Sequence, residues 1–163
     1  MFELKKLSKE AIPAALERAE RYRLLNEPGP AQSICLDILE IEPDNQKAIV
    51  ALVLAVSDSF TDDYSIGDQQ VKEFVERIED DYQRTYYMGI VYERRAKAML
   101  TNGPAGSEST AFELFRQAMK WFEKAEEIKP AGNDDAILRW NGCARILKAN
   151  NLSRREMAAD FIE

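Results

Sequence analysis

No histidine occurs among the 163 residues. The chain therefore lacks the side chain that titrates nearest neutral pH, the commonest general base and the commonest metal ligand. Catalysis, a bound metal and a bound cofactor are accordingly not expected. Cysteine is scarce as well: Cys35 and Cys143 stand far apart in separate apolar patterns, with no paired spacing. They read as reduced packing thiols, and the opening Met1–Lys6 does not read as a secretory leader, so a cytoplasmic chain is expected. The longest apolar run, Ala48 to Val56, is nine residues, about half the length a bilayer crossing requires. No membrane partner is expected. Basic residues are outnumbered 22 to 29, a net charge of −7, and a field of that sign repels phosphate backbones, which argues against nucleic acid.

Glycine and proline, seven and six in number, fall mostly where helical patterns break. Helices are expected from about Ser8 to Asn26 with Ser8 as N-cap, Ala31 to Ile41, Asp44 or Asn45 as cap of a helix running to about Ser59, Gln69 to Glu79, Tyr82 to Leu100, Ser109 to Ile128, Ala136 to Ala149 and Leu152 to Ile162. No stretch alternates as a strand would. Asp62, Asp63 and Asp68 lack the ligand order of a calcium loop, no glycine-rich phosphate cradle follows a strand, and Glu79-Asp80-Asp81 reads as a charged helix cap. The expected fold is a single all-α domain over residues 1–163.

Behind the breaks lies a recurring pattern. Ala118-x3-Phe122-x2-Ala125-x4-Pro130 places small and aromatic residues one turn apart ahead of a stopping proline, and Ala31-x3-Cys35-x2-Ile38-x4-Pro43 keeps that spacing. Ala19-x2-Tyr22 and Gly89-x2-Tyr92 pair a small residue with an aromatic one, and Trp140-x2-Cys143-Ala144-x2-Leu147 is a variant of the same. These motifs resemble the tetratricopeptide repeat over about residues 11–149. The resemblance implies antiparallel helical hairpins stacked as a short right-handed solenoid of about three to four repeats, capped by the helix over about 152–162. Gly89 and Gly142 stand 53 residues apart, well beyond a repeat of about 34, so one hairpin, Tyr82 to Ile128, is expected to be elongated. An ordinary helix bundle would place alanines and aromatics at similar spacings and would also be all-α.

By the same resemblance, function belongs to a concave groove that holds a peptide or partner protein. Leu16, Glu20, Arg23 and Leu24 of the first helix, Gln83, Tyr86, Ile90, Glu93 and Arg94 of the fifth, and Asn141, Arg145 and Lys148 of the seventh are expected to face it. Glu20, Arg23, Tyr86, Arg94, Asn141 and Arg145 are the candidate peptide-binding residues of an adaptor or scaffold. Leu16, Glu20, Val50 and Leu54 do not reproduce the family's full clamp for a terminal carboxylate. Glu93 and Lys97 read alternatively as a solvated ion pair, and Trp121 and Trp140 as core. The alternative function is structural: self-association through the elongated hairpin and the last helix, with Met99, Phe112, Phe115 and Phe161 as the candidate association surface and a homo-oligomer as its product. Phe112→Ser or Phe115→Ser would then weaken association more than folding.

Overall fold

A computed structural model describes residues 1–60 and 67–152, the side chain of residue 68 excepted. Asp62, Asp63 and Ser65, the C-terminal helix expected beyond 152 and Phe161 lie outside the described residues. Among those described there are seven α-helices and no strand: α1 (Ile12–Leu24), α2 (Pro28–Ile41), α3 (Gln46–Asp58), α4 (Asp68–Glu76), α5 (Asp81–Asn102), α6 (Glu108–Glu127) and α7 (Asp135–Ala149). None of these helices is long and apolar enough to cross a membrane. The chain forms two compact units, Met1–Glu79 with α1 to α4 and Asp80–Glu163 with α5 to α7.

Local chemistry sets the helix ends. Asn45 caps α3 by accepting from the Ala48 amide at 3.0 Å, and Asp80 caps α5 by accepting from the Gln83 amide at 2.8 Å. Ser8 makes no such bond; a 3-10 turn, Lys9–Ala11, leads into α1 instead. Pro28 and Pro30 open α2 rather than precede it, because first-turn amides have no intrahelical acceptor to lose. Helix α1 ends through Asn26, whose φ of 58° lets the Glu27 amide reach the Tyr22 carbonyl at 2.8 Å. Asn151, with φ of 52°, does the same for α7, the Leu152 amide reaching the Leu147 carbonyl at 3.0 Å. Asparagine tolerates the left-handed conformation that this stop demands.

In the first unit α3 is apolar on all sides and supplies much of the core, with Ala48, Ile49, Leu52, Val53, Ala55 and Val56 fully buried. Arg23 near the end of α1 meets Asp58 at the end of α3 (3.0 Å), and Gln32 at the start of α2 donates to Ser59 (2.9 Å), so α1 and α3 run in one sense and α2 in the other. Val71, Val75 and Ile78 bury one face of α4 and the turn beyond it. The carboxamide of Gln46 ties that end to the start of α3, donating to the Arg77 carbonyl at 3.3 Å and accepting from the Glu79 amide at 2.9 Å.

In the second unit α5 and α6, of 22 and 20 residues, exceed every other described helix. At 1.5 Å per residue each extends ~30 Å or more, and they pack as one elongated hairpin. Ala118, Phe122 and Ala125 are fully buried on α6. The two helices approach tightly at Gly89, where a Cβ would stand 2.5 Å from Cε1 of the Phe122 ring. Only glycine leaves the room that ring fills.

One residue of the proposed association surface is corrected. Phe115 is fully buried and belongs to the core, because it falls with Ala111, Ala118 and Phe122 on the stripe of α6 that turns inward. Met99 and Phe112 are half-buried, as are Ala98, Leu100 and Leu114, so among the described residues no fully exposed apolar patch marks this end of the hairpin. The tryptophans are not core either: both are half-buried, Trp140 donating to Glu123 at 2.9 Å and Trp121 carrying the Lys124 ammonium 4.6 Å from its ring centroid.

Two measurements check this packing. Gly89→Ala is expected to destabilise the protein by about 2 kcal/mol in urea titration, the clash with Phe122 outweighing the better helix propensity of alanine. Gly142→Ala, where an added Cβ meets nothing within 4 Å, is expected to stabilise by about 1 kcal/mol; equal effects at both sites would show that the close approach is absent. Phe115→Ser is expected to cost about 4 kcal/mol and Phe112→Ser about 1 kcal/mol. The reverse order would return Phe115 to the surface.

Candidate functional site

Polar side chains in a helical core are costly unless they are paired, so a buried carboxylate marks a place the packing treats specially. Glu93 of α5 is such a group, with its side chain only 2% exposed. Its position follows from spacing: it lies four residues after Gly89, on the same face of α5. Arg139 and Cys143, four residues apart on α7, meet it. Arg139 Nη1 donates to Glu93 Oε2 at 3.1 Å, and the Cys143 thiol donates to Oε1 at 3.4 Å. Lys97, one turn further along α5, brings its Nζ to 3.7 Å from Oε2.

An aromatic row continues the cluster along α5. Arg139 Nε donates to the Tyr86 hydroxyl at 3.4 Å. The Tyr86 ring stacks on Tyr82 (centroids 5.9 Å apart, planes 15° apart), meets Tyr87 edge-on at 5.2 Å and leans on Phe122 at 5.9 Å. Tyr82 in turn donates its hydroxyl to Asn133 Oδ1 at 3.2 Å, and the same oxygen accepts from the Asp135 amide at 3.0 Å, which fixes the loop entering α7. Polar bonds at Tyr86 and Glu93 thus join α5 to α7, and Tyr82 joins α5 to the loop that precedes α7.

The charges are balanced unevenly. Burial works against the Arg139 cation, but the Tyr86 hydroxyl and the charge of Glu93 outweigh it and hold the guanidinium above its ordinary value. Burial pushes the Cys143 thiol up to about 12, with the Glu93 charge and hydrogen bond adding to it. Tyr82 is raised by burial and then by Asp135. The Arg139 and Lys97 side chains are 38% and 45% exposed. The site therefore has a closed floor and a cationic, aromatic edge open to solvent.

Of the residues expected here from sequence, Tyr86 and Glu93 take part. Arg94 is half-buried and about 100° around α5 from Glu93. Asn141, half-buried, and Arg145, exposed, each lie two residues from Cys143, about 200° around α7, and are not brought to this cluster. Lys148 is exposed. The solvated reading of Glu93 and Lys97 is corrected for Glu93: it is buried because α7 covers it. Arg139 was missed, although an arginine four residues before Cys143 and three after Ala136 breaks an otherwise small, inward stripe, which is the signal that could have found it.

In the first unit Arg23 is engaged by Asp58, and Glu20 is exposed beside an open pocket of about 600 Å³ that Leu16, Glu17, Glu42 and Lys47 also line. No group of His, Cys, Asp and Glu among the described residues could hold a metal ion. Comparison with protein-family models, with curated proteins and with solved structures finds no match.

Both cysteines are free and fully buried, and burial raises Cys35 to about 12 as well, with Arg23 lowering and Glu20 raising it to smaller extents. A thiol whose folded value exceeds its ordinary 9.0 favours the folded state fully below pH 9 and loses that contribution as pH rises towards 12. Neither thiol is therefore expected to react with iodoacetamide in the folded protein at pH 8. Between pH 9 and 12 the native chain should lose stability more steeply than a Cys35→Ala, Cys143→Ala double variant, by up to about 1.4 kcal/mol per pH unit for each thiol. Parallel curves would show that the thiols are not shielded as the packing requires.

Proposed function

We propose that this chain is an interaction module of tetratricopeptide type, a cytoplasmic adaptor whose chemistry is binding and not catalysis. One observation carries the reading: α5 and α7, the helices that would be successive first helices of the repeat, hold Tyr86, Arg139 and Lys97 at a half-exposed edge while Glu93 anchors two of them from below. Side chains fixed in this way lose little freedom when a ligand arrives. The ligand that suits an edge between two side-by-side helices is an extended segment of another protein, with Tyr86 as its apolar contact and the cations as its polar ones. The burial of Ala118, Phe122 and Ala125, and the fit of Gly89 to Phe122, support the repeat resemblance without depending on it.

Selection of short peptides by display against the whole chain, followed by amide chemical-shift mapping, tests the reading. Selected peptides are expected to perturb the amides of Tyr86, Glu93, Lys97, Arg139 and Cys143 as one group. Peptides that map elsewhere, or a selection that enriches nothing, would overturn it.

A further inference from the structure

We infer that the face formed by the segment Met1–Leu7 and α2 is an interface between two copies of this chain, in which the Phe2 ring of each copy enters the α2 pocket of the other. Exposed large apolar side chains are unevenly spread: of eight among the described residues, Met1, Phe2, Leu4 and Leu36 belong to this segment or to α2. Phe2 and Leu4 are 102% and 90% exposed. An apolar cluster of this kind, rimmed by charge, marks a contact site. Beside it lies an open pocket of about 320 Å³, lined by Leu4 and Leu7 of the segment and by Leu36 and Ile41 of α2. A cavity of about 150 Å³ already admits a benzene ring, so this pocket has room for a phenylalanine. A projecting ring and a receiving pocket thus stand next to each other on one surface, which is what a twofold contact between like chains requires.

Chain length and charge assign the occupant. Phe2 precedes Leu4 by two residues, at most ~7 Å of chain, so it reaches its own pocket only by folding back over the residues that line it. A second copy delivers the same ring from outside. The rim carries both signs, Lys5 and Lys6 from the segment and Asp37 and Glu40 from α2. Two chains of net charge −7 repel each other on average, and the basic segment of one set on the acidic rim of the other offsets that repulsion. An anionic surface such as a membrane would be drawn to the lysines but pressed against the two carboxylates. Two rings, each burying about 150–250 Å², with the leucines around them place the contact at the small end of specific interfaces. Association is therefore weak and concentration-dependent, and it uses no residue of the α5–α7 cluster.

The test is sedimentation velocity of the whole chain from about 1 μM to about 1 mM, over which the mass is expected to pass from monomer to dimer. Phe2→Ser and, on the pocket side, Leu36→Gln are each expected to raise the dissociation constant at least about tenfold. Neither should shift the melting temperature of the dilute chain, because both side chains are exposed. Two charge-reversed chains, Lys5→Glu with Lys6→Glu and Asp37→Lys with Glu40→Lys, separate pairing between copies from contact within one copy. Each alone is expected to associate at least about tenfold more weakly. Their equimolar mixture is expected to recover the dimer, since both contacts of the mixed pair again join opposite charges. A chain that stays monomeric throughout, a mixture no better associated than its components, or a dimer that Phe112→Ser weakens and Phe2→Ser does not would overturn the inference.

Discussion

The second unit depends on the space left by a missing side chain. Gly89 lets the Phe122 ring lie against the backbone of α5, at a separation no Cβ would permit. Phe122 supports Tyr86 from that position, and the Tyr86 hydroxyl oxygen accepts from Arg139 Nε. Arg139 then reaches Glu93. Each link is modest, about 1 kcal/mol for an aromatic contact or an ordinary hydrogen bond. They act in series, from the glycine to the guanidinium that holds the carboxylate.

Glu93 could be explained as a structural bridge between α5 and α7, and in part it is one. A buried ion pair, however, contributes little net stability relative to an apolar pair of the same volume, because desolvation offsets the attraction. A well-packed leucine and methionine would join the helices as firmly. What an apolar pair could not do is hold two cations at the solvent edge in a fixed geometry, and that distinction is why the cluster is read as a recognition surface.

The first unit solves a similar packing problem with different chemistry. Its inner helix α3 is nearly all apolar, and the bridge between helices of like direction seen among the described residues, Arg23 to Asp58, sets one cation on one anion. Both side chains keep only about a fifth of their surface in contact with solvent, so the pair is largely desolvated and each charge offsets the other. The same type of contact in the second unit carries a surplus charge, and this difference in charge count separates a structural bridge from a candidate site.

Much of this was legible in the sequence. The all-helical content, the breaks at Pro43 and at Gly103-Pro104, a cap at Asp44 or Asn45, the elongated hairpin and the inward stripe of Ala118, Phe122 and Ala125 all follow from short-range rules, since caps, propensity and the helical period act within a few residues. The position of α7 did not follow. Trp140 is its largest apolar residue and drew the expected inward face towards itself, with Asn141 and Arg145 in the groove. The inward face instead passes through Ala136, Arg139 and Cys143, because α5 offers a buried carboxylate to be matched. Phe115 was misplaced for a related reason: periodicity shows that a stripe is apolar but does not say whether its cover is the hairpin's own partner helix or another molecule. The sequence by itself determined where helices begin and end and which stripes are apolar, because those are local properties. Which stripe faces which neighbour, and hence that Glu93 lies beneath two cations, was decided only by the tertiary structure, because it depends on contacts between residues some fifty positions apart.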